Sequence, residues 1–181
     1  MALTESRMAH LGSPCPDFHL PGTEGRSWRR DDFQEAALLL VVMCNHCPYV
    51  QAVDDRINAL AKDFKGKCAV VGINPNDAQA YPEDSFEAMQ ERARRKGYVF
   101  PYLRDEAQDL ARGLGALCTP DFFLFDQDRK LVYRGRLDDN WKQPESVTRQ
   151  DLRRDLTSLL EGRSVDPEQR PSLGCSIKWK T

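Results

Sequence analysis

Leu38-Leu39-Leu40-Val41-Val42-Met43-Cys44-Asn45-His46-Cys47-Pro48-Tyr49-Val50 joins two different apolar patterns within one short stretch. Ala37 to Met43 is a continuous apolar run with branched residues at its end, the pattern of a strand buried on both faces. After Pro48 the period changes, and Val50, Val53, Ile57, Leu60, Ala61 and Phe64 recur at spacings of three and four. That spacing predicts an amphipathic helix packed on a sheet, stopped by Gly66. A Cys-x-x-Cys pair lies where the strand becomes the helix.

That position gives the pair a chemistry. The free N–H groups and the dipole of a helix N-terminus stabilise an anion. Cys44 is expected to sit there, with its thiolate favoured and its pKa lowered from about 8.5. Cys47, one helical turn on, could then attack a mixed disulfide formed at Cys44 and release the reduced product. Pro48 falls in the first turn, where its missing N–H costs nothing. A protonated His46 adds positive charge beside the thiolate, stabilising the reduced form and making the disulfide more oxidising. The plainer alternative for His46 is a solvated first-turn residue.

The rest of the composition narrows the class. The chain has 181 residues, a net charge of −2, 40% hydrophobic and 30% charged residues, and a pI of about 5.9. These values suit one globular domain, 1–181, with no nucleic-acid partner and no acidic-membrane partner. The longest apolar run, Ala36 to Met43, falls far short of the roughly 20 residues of a membrane span. Met1 to Arg7 carries no apolar signal region, so a cytoplasmic location is expected. Six cysteines are too sparse for a disulfide scaffold in a chain this long, and a close pair in a reducing compartment reads as catalytic or metal-binding. The cluster Arg92, Arg94, Arg95 and Lys96 reads as cations favouring a helix C-terminus.

Further elements follow in order. Phe18 to Leu20 suits a short edge strand, Ala69 to Ile73 a second buried strand, and Glu83 to Lys96 a helix ended by Gly97. Asp105 to Leu114 suits a shorter helix, and Phe122–Phe125 with Leu131–Tyr133 a hairpin turning at Asp126. Thr148 to Glu161 closes the series as a helix. An irregular arm, 1–17, and a tail, 162–181, flank it. The order implies an α/β fold with a mixed central sheet flanked by helices. A second chemical element is Cys118-Thr119-Pro120-Asp121, where a proline opening a buried strand is a candidate for a cis peptide.

Taken together these segments resemble the thioredoxin-like superfamily, in which a Cys-x-x-Cys at a helix start faces a cis-proline loop. More closely, the chain resembles its peroxiredoxin-like (AhpC/TSA-type) redoxin branch. The matching segments are Gly12-Ser13-Pro14-Cys15-Pro16-Asp17-Phe18, Cys44-Asn45-His46-Cys47-Pro48-Tyr49, Ile73-Asn74-Pro75-Asn76-Asp77, Thr119-Pro120, Gly135-Arg136-Leu137-Asp138-Asp139 and Gly174-Cys175-Ser176-Ile177-Lys178-Trp179. The resemblance implies a thioredoxin-like fold, Cys44 as nucleophile, Cys47 as resolving thiol, and Pro120 bordering a substrate groove with Thr119 and Pro48. It implies protein or small-molecule thiols and disulfides as substrates, with the thioredoxin or glutathione system as electron donor or acceptor, and no cofactor or metal.

The chain also departs from that branch. Peroxiredoxins use Pro-x-x-x-Thr-x-x-Cys and a later Arg to bind and polarise peroxide. With Cys47 in the peroxidatic position, Leu40 replaces the Pro, Cys44 replaces the Thr, and Pro120 falls where the Arg would be. Disulfide exchange is therefore favoured over a thiol peroxidase. Two rivals remain: a zinc site completed by Cys118 and Cys175, and a non-catalytic binding module on the same scaffold. In this fold Cys118 should lie near the pair, either as a small buried hydrophobe or as a further redox thiol. The tail is expected to fold back, and Cys175 to pair with Cys118. Cys15 and Cys68 read as structural. His10 and His19 show no ligand spacing, and Asp138, Asp139 and Asn140 suit a polar loop.

Overall fold

The computed structural model describes residues 3–7 and 10–180; Met1, Ala2, Met8 and Ala9 of the arm and Thr181 of the tail lie outside them. In chain order the strands and α-helices are β1 (Leu3–Glu5), β2 (His19–Pro21), β3 (Ser27–Arg29), β4 (Ala37–Val42), α1 (Pro48–Asp63), β5 (Cys68–Asn74) and α2 (Phe86–Lys96). They continue with β6 (Tyr102–Arg104), α3 (Asp109–Gly113), β7 (Cys118–Thr119), β8 (Asp121–Phe125), β9 (Leu131–Gly135), α4 (Asp151–Leu160) and β10 (Leu173–Ser176).

The central sheet runs β6-β5-β4-β8-β9, parallel across β6, β5 and β4 and antiparallel across β8 and β9. It is the mixed sheet that the order of elements implied. Every residue of β4 is buried, because the strand is covered on both faces. Leu39, Val41 and Met43 join Val50, Val53 and Ile57 of α1 and Leu152 and Leu156 of α4. Leu38, Leu40 and Val42 join Phe18, Phe33, Leu110, Phe123 and Phe125 on the other face. Full burial of each such side chain contributes about 1.5–3 kcal/mol, so β4 anchors whatever its C-terminal end carries. What it carries is Cys44.

Several boundaries differ from the sequence expectation, each for a local reason. The helix expected from Glu83 begins at Phe86, because Ser85 caps it by accepting from the Ala88 N–H at 3.3 Å, which leaves Asp84 in the preceding turn. Asp105 does not open a helix; its carboxylate accepts from the Ala111 N–H at 2.9 Å and α3 begins later. Thr148 stays outside α4, held by Asp139 Oδ1 at 3.0 Å. Of the cations expected to favour the end of α2, Arg92 is instead buried, ion-paired with Asp54 and bonded to Tyr98. Gly97 ends α2 at φ 59°, in the left-handed region that favours glycine.

The arm and tail contain structure that periodicity did not show. β10 lies between β1 and β7, antiparallel to both, and pairs Cys175 with Thr119 and Ser176 with Cys118. Gly174 permits this approach, since a Cβ there would lie 2.0 Å from the Thr119 carbonyl oxygen. Gly174→Ala is accordingly expected to cost about 1–3 kcal/mol through overpacking. Denaturant unfolding checks this, and unchanged stability would mean that β10 does not press on Thr119 as described.

Candidate active site

Helix α1 starts at Pro48, so the residue at its N-cap is Cys47 and not Cys44. Cys44 lies three residues earlier, in the loop after β4. The helix N-terminus therefore acts on Cys47, which corrects the expectation that Cys44 would be the favoured thiolate. The proline sets the difference: it fits the first helical position and fixes where the helix begins. Both sulfurs are fully buried, at 0% exposure.

Thr119 reaches both cysteines. Its Oγ1 lies 3.3 Å from Cys44 Sγ, and its carbonyl oxygen accepts from the Cys47 thiol at 3.1 Å. The Thr119–Pro120 peptide is cis. Cys47 is drawn below the usual thiol value, to about 5, first by the hydrogen bond from the Cys44 thiol. Burial opposes that shift, while the Cys175 thiol, the Val50 N–H and the Thr119 hydroxyl reinforce it. The Thr119 carbonyl favours the protonated thiol, so the donors named above outweigh it. Cys44 is pushed up, chiefly by burial and by donating a hydrogen bond to Cys47. Between them the two cysteines hold one proton on Cys44 and the negative charge on Cys47.

His46 lies beside the pair, with a ring nitrogen within 4.8 Å of Cys44 Sγ. Its Nδ1 bonds Asp84 Oδ2 at 2.6 Å, and its ring stacks on Tyr81 at 5.3 Å. The Asp84 bond raises the imidazole's pKa and favours the imidazolium form. Burial works against the Asp84 carboxylate, but bonds from His46, from Asn76 Nδ2 at 2.8 Å and from the Asn45 N–H at 2.6 Å hold it below the usual range. Asn45 also links to Tyr102, whose hydroxyl donates to Asn45 Oδ1 at 3.0 Å. Asp84, Asn76, Asn45 and Tyr81 were not singled out in the sequence. The signal for Asp84 was the Pro82-Glu83-Asp84-Ser85 run, in which a serine N-cap leaves the acid outside the helix.

Not every cysteine gathers here. Cys175 does: its thiol hydrogen-bonds Cys47, and burial pushes its pKa up to about 12. Cys118 lies one residue from Thr119 but points elsewhere, its thiol donating to the Pro120 carbonyl at 3.8 Å, with its pKa raised by burial. The tail thus sets Cys175 against Cys47, not against Cys118, as their alternation along β7 requires. Burial raises Cys15 and Cys68 to about 12 each, which leaves them without thiolate character. A groove of about 90 Å³ runs past Pro120, lined by Val53, Phe122, Leu137, Trp141 and Leu173. Tyr49, next to Pro48, packs against Trp141 at 4.1 Å.

The residues that could hold a metal are Cys44, His46 and Asp84, whose donor atoms lie within 4.8 Å of one another. Both Asp84 oxygens already accept two hydrogen bonds each. His46 Nε2 is one open atom among them, too few for a three-donor site. The cluster as built orients the imidazole. The set Cys44, Cys47, Cys118 and Cys175 is not assembled, because Cys118 faces away.

The AhpC/TSA family model matches residues 11–134. The chain therefore belongs to the AhpC/TSA family and is a thioredoxin-fold redoxin of the thiol-oxidoreductase type. It is similar to a conserved uncharacterized protein from Geobacillus kaustophilus, at 46% identity over 99% of this chain and 97% of that one, with a TM-score of 0.94. A hypothetical protein from Sinorhizobium meliloti is 41% identical over 98% and 99% of the two chains, with a TM-score of 0.93. An exposed lipoprotein thioredoxin from Streptococcus pneumoniae shares the fold at 19% identity and a TM-score of 0.63, over 80% of this chain and all of its own. No curated protein matches the chain significantly. No described helix is long and apolar enough to cross a membrane.

The charge assignment has a direct optical test. Thiolate absorbance in the ultraviolet should rise with a midpoint near pH 5 in the native protein. Below that pH Cys47 gains a proton, and above it the absorbance holds level well past neutrality. The early rise should vanish in Cys47→Ser and persist in Cys118→Ser. A first midpoint near 9 would contradict the assignment.

Proposed function

We propose that the protein is a thiol–disulfide oxidoreductase whose working dithiol is Cys44 and Cys47. The observation that carries this is a buried pair of cysteines three residues apart, the second at the N-cap of α1, with both sulfurs against Thr119 of the cis Thr119–Pro120 peptide. In the exchange, the Cys47 thiolate attacks a substrate disulfide, R–S–S–R′, forming a Cys47 mixed disulfide and expelling one thiolate. Cys44, giving its proton to the departing sulfur, then attacks Cys47 and releases the second thiol, leaving a Cys44–Cys47 disulfide. A reducing pool, thioredoxin or glutathione in the cytoplasm, would return the pair to the dithiol. Stabilisation of the Cys47 thiolate by its hydrogen-bond donors favours the reduced form, so the disulfide is oxidising.

Peroxide reduction is the less favoured reading, because no buried arginine among the described residues is paired with a site sulfur. The buried arginines are committed elsewhere: Arg134 to Asp121 and the Gly115 carbonyl, Arg92 to Asp54 and Tyr98, Arg104 to Glu106. None of these partners is a site sulfur. The groove past Pro120, whose lining includes neither Thr119 nor Pro48, suits the substrate chain beside the exchanging disulfide.

Oxidised glutathione tests the scheme. The wild-type protein should release both glutathione halves and gain an internal disulfide that includes Cys47. Cys47→Ser should react about ten- to a hundredfold more slowly at neutral pH, reflecting the low thiolate fraction of the remaining thiols. A Cys47→Ser protein that reacted through Cys44 at the wild-type rate would overturn the assignment of the attacking sulfur.

A further inference from the structure

Cys175 is not used by the two-thiol exchange, yet its placement is closely specified. β10 crosses the site so that Cys175 lies opposite Thr119, the residue whose hydroxyl and carbonyl meet Cys44 and Cys47. Gly174 brings the two backbones together at a distance no side chain would allow. The three cysteines share one apolar cluster, at 0%, 0% and 2% exposure, so water is excluded from the space between their sulfurs. Cys47 is central, hydrogen-bonded to Cys44 on one side and to Cys175 on the other. The family match ends at residue 134, so the segment carrying Cys175 lies beyond it.

We propose that Cys175 is a second resolving thiol for Cys47, making the centre a three-cysteine relay; this rests on Cys47 being the attacking sulfur. Once Cys47 is in a mixed disulfide, its negative charge no longer holds the Cys175 proton in place. Cys175 attacks the Cys47 sulfur, the Cys47–S–R bond breaks, and the Cys175 proton passes to the leaving sulfur as R–SH. The product is a Cys47–Cys175 disulfide. Cys44 then attacks Cys47 in turn, forming Cys44–Cys47 and returning Cys175 to the thiol with the Cys44 proton. The net change is two protein thiols oxidised and one substrate disulfide, R–S–S–R′, reduced to two thiols. The first of these disulfides joins the tail covalently to the start of α1, while the second frees it, so the tail strand is fastened during turnover.

A serine at this position would also donate a hydrogen bond to Cys47 but could not form the bond to sulfur, and the test uses that difference. Cys44→Ser protein is treated with oxidised glutathione, quenched with acid, and mapped without reduction by mass spectrometry. The expected product is a cross-link between the Cys47 and Cys175 peptides. Cys44→Ser/Cys175→Ser should stop at the Cys47–glutathione adduct. If Cys44→Ser itself stops at that adduct with Cys175 open to alkylation, the relay is overturned and the two-thiol exchange stands. If no variant that retains Cys47 forms an adduct there, the relay and the exchange fall together. Rapid quenching of the wild type gives a second readout, in which the Cys47–Cys175 cross-link should rise and then decay as Cys44–Cys47 accumulates.

Discussion

Thr119 is the contact on which the site depends. Its hydroxyl meets Cys44, its carbonyl meets Cys47, and its backbone faces Cys175 across a strand pair. Cys44 and Cys47 are near neighbours in the sequence, from the loop after β4 and the start of α1, whereas Cys175 comes from β10 near the other end of the chain. A residue at the end of a two-residue strand would ordinarily be mobile, but Thr119 is fixed from both directions. Asp121, two residues on, is paired with Arg134 at 2.9 Å inside the central sheet. On the other side Gly174 leaves room for β10 to press against it.

The asymmetry between the two motif cysteines follows from where the helix begins. A helix N-terminus stabilises negative charge over its first turn and little beyond, and Pro48 fixes that turn so that Cys47, not Cys44, is the cap. Neighbouring thiols add hydrogen bonds to the charge, and such bonds to a charged acceptor are roughly twice as strong as neutral ones. In this closed arrangement the sulfurs have no contact with water, and burial alone would suppress ionisation. The thiolate persists because its donors are already in place. Asp84 contributes indirectly: its hydrogen bond raises the pKa of the His46 imidazole beside the pair, and its own charge is held by Asn45 and Asn76.

The strand–cysteine–helix unit was legible in the sequence because burial on both faces of β4 and the 3.6-residue period of α1 write themselves into consecutive residues. The hairpin of β8 and β9 and the proline at 120 were legible for similar local reasons. β1, β7 and β10 were not, since each has four residues or fewer, too short for a period of two to register, and their pairing spans nearly the whole chain. The tail's return was foreseen from Trp179 near the terminus, but its register was not: one residue of slip along β7 exchanges Thr119 for Cys118 as the residue facing the sulfurs. Asp84 was hidden by the helical pattern around it, which Ser85 interrupts by capping. Arg92 reads with its neighbours as a cation favouring the end of its helix, and its pairing is not legible because its partner, Asp54, lies on another helix.

The central claim is that Cys47 exchanges electrons as half of a dithiol. The most direct measurement is a redox titration of the native protein against a graded ratio of reduced to oxidised glutathione, with alkylation and mass spectrometry at each step. A reversible two-electron transition is predicted, with Cys47 in the disulfide at its end, Cys44 as the principal partner, and Cys15, Cys68 and Cys118 as free thiols throughout. Cys44 and Cys47 remaining thiols across the whole range, or a disulfide that leaves Cys47 out, would contradict the account.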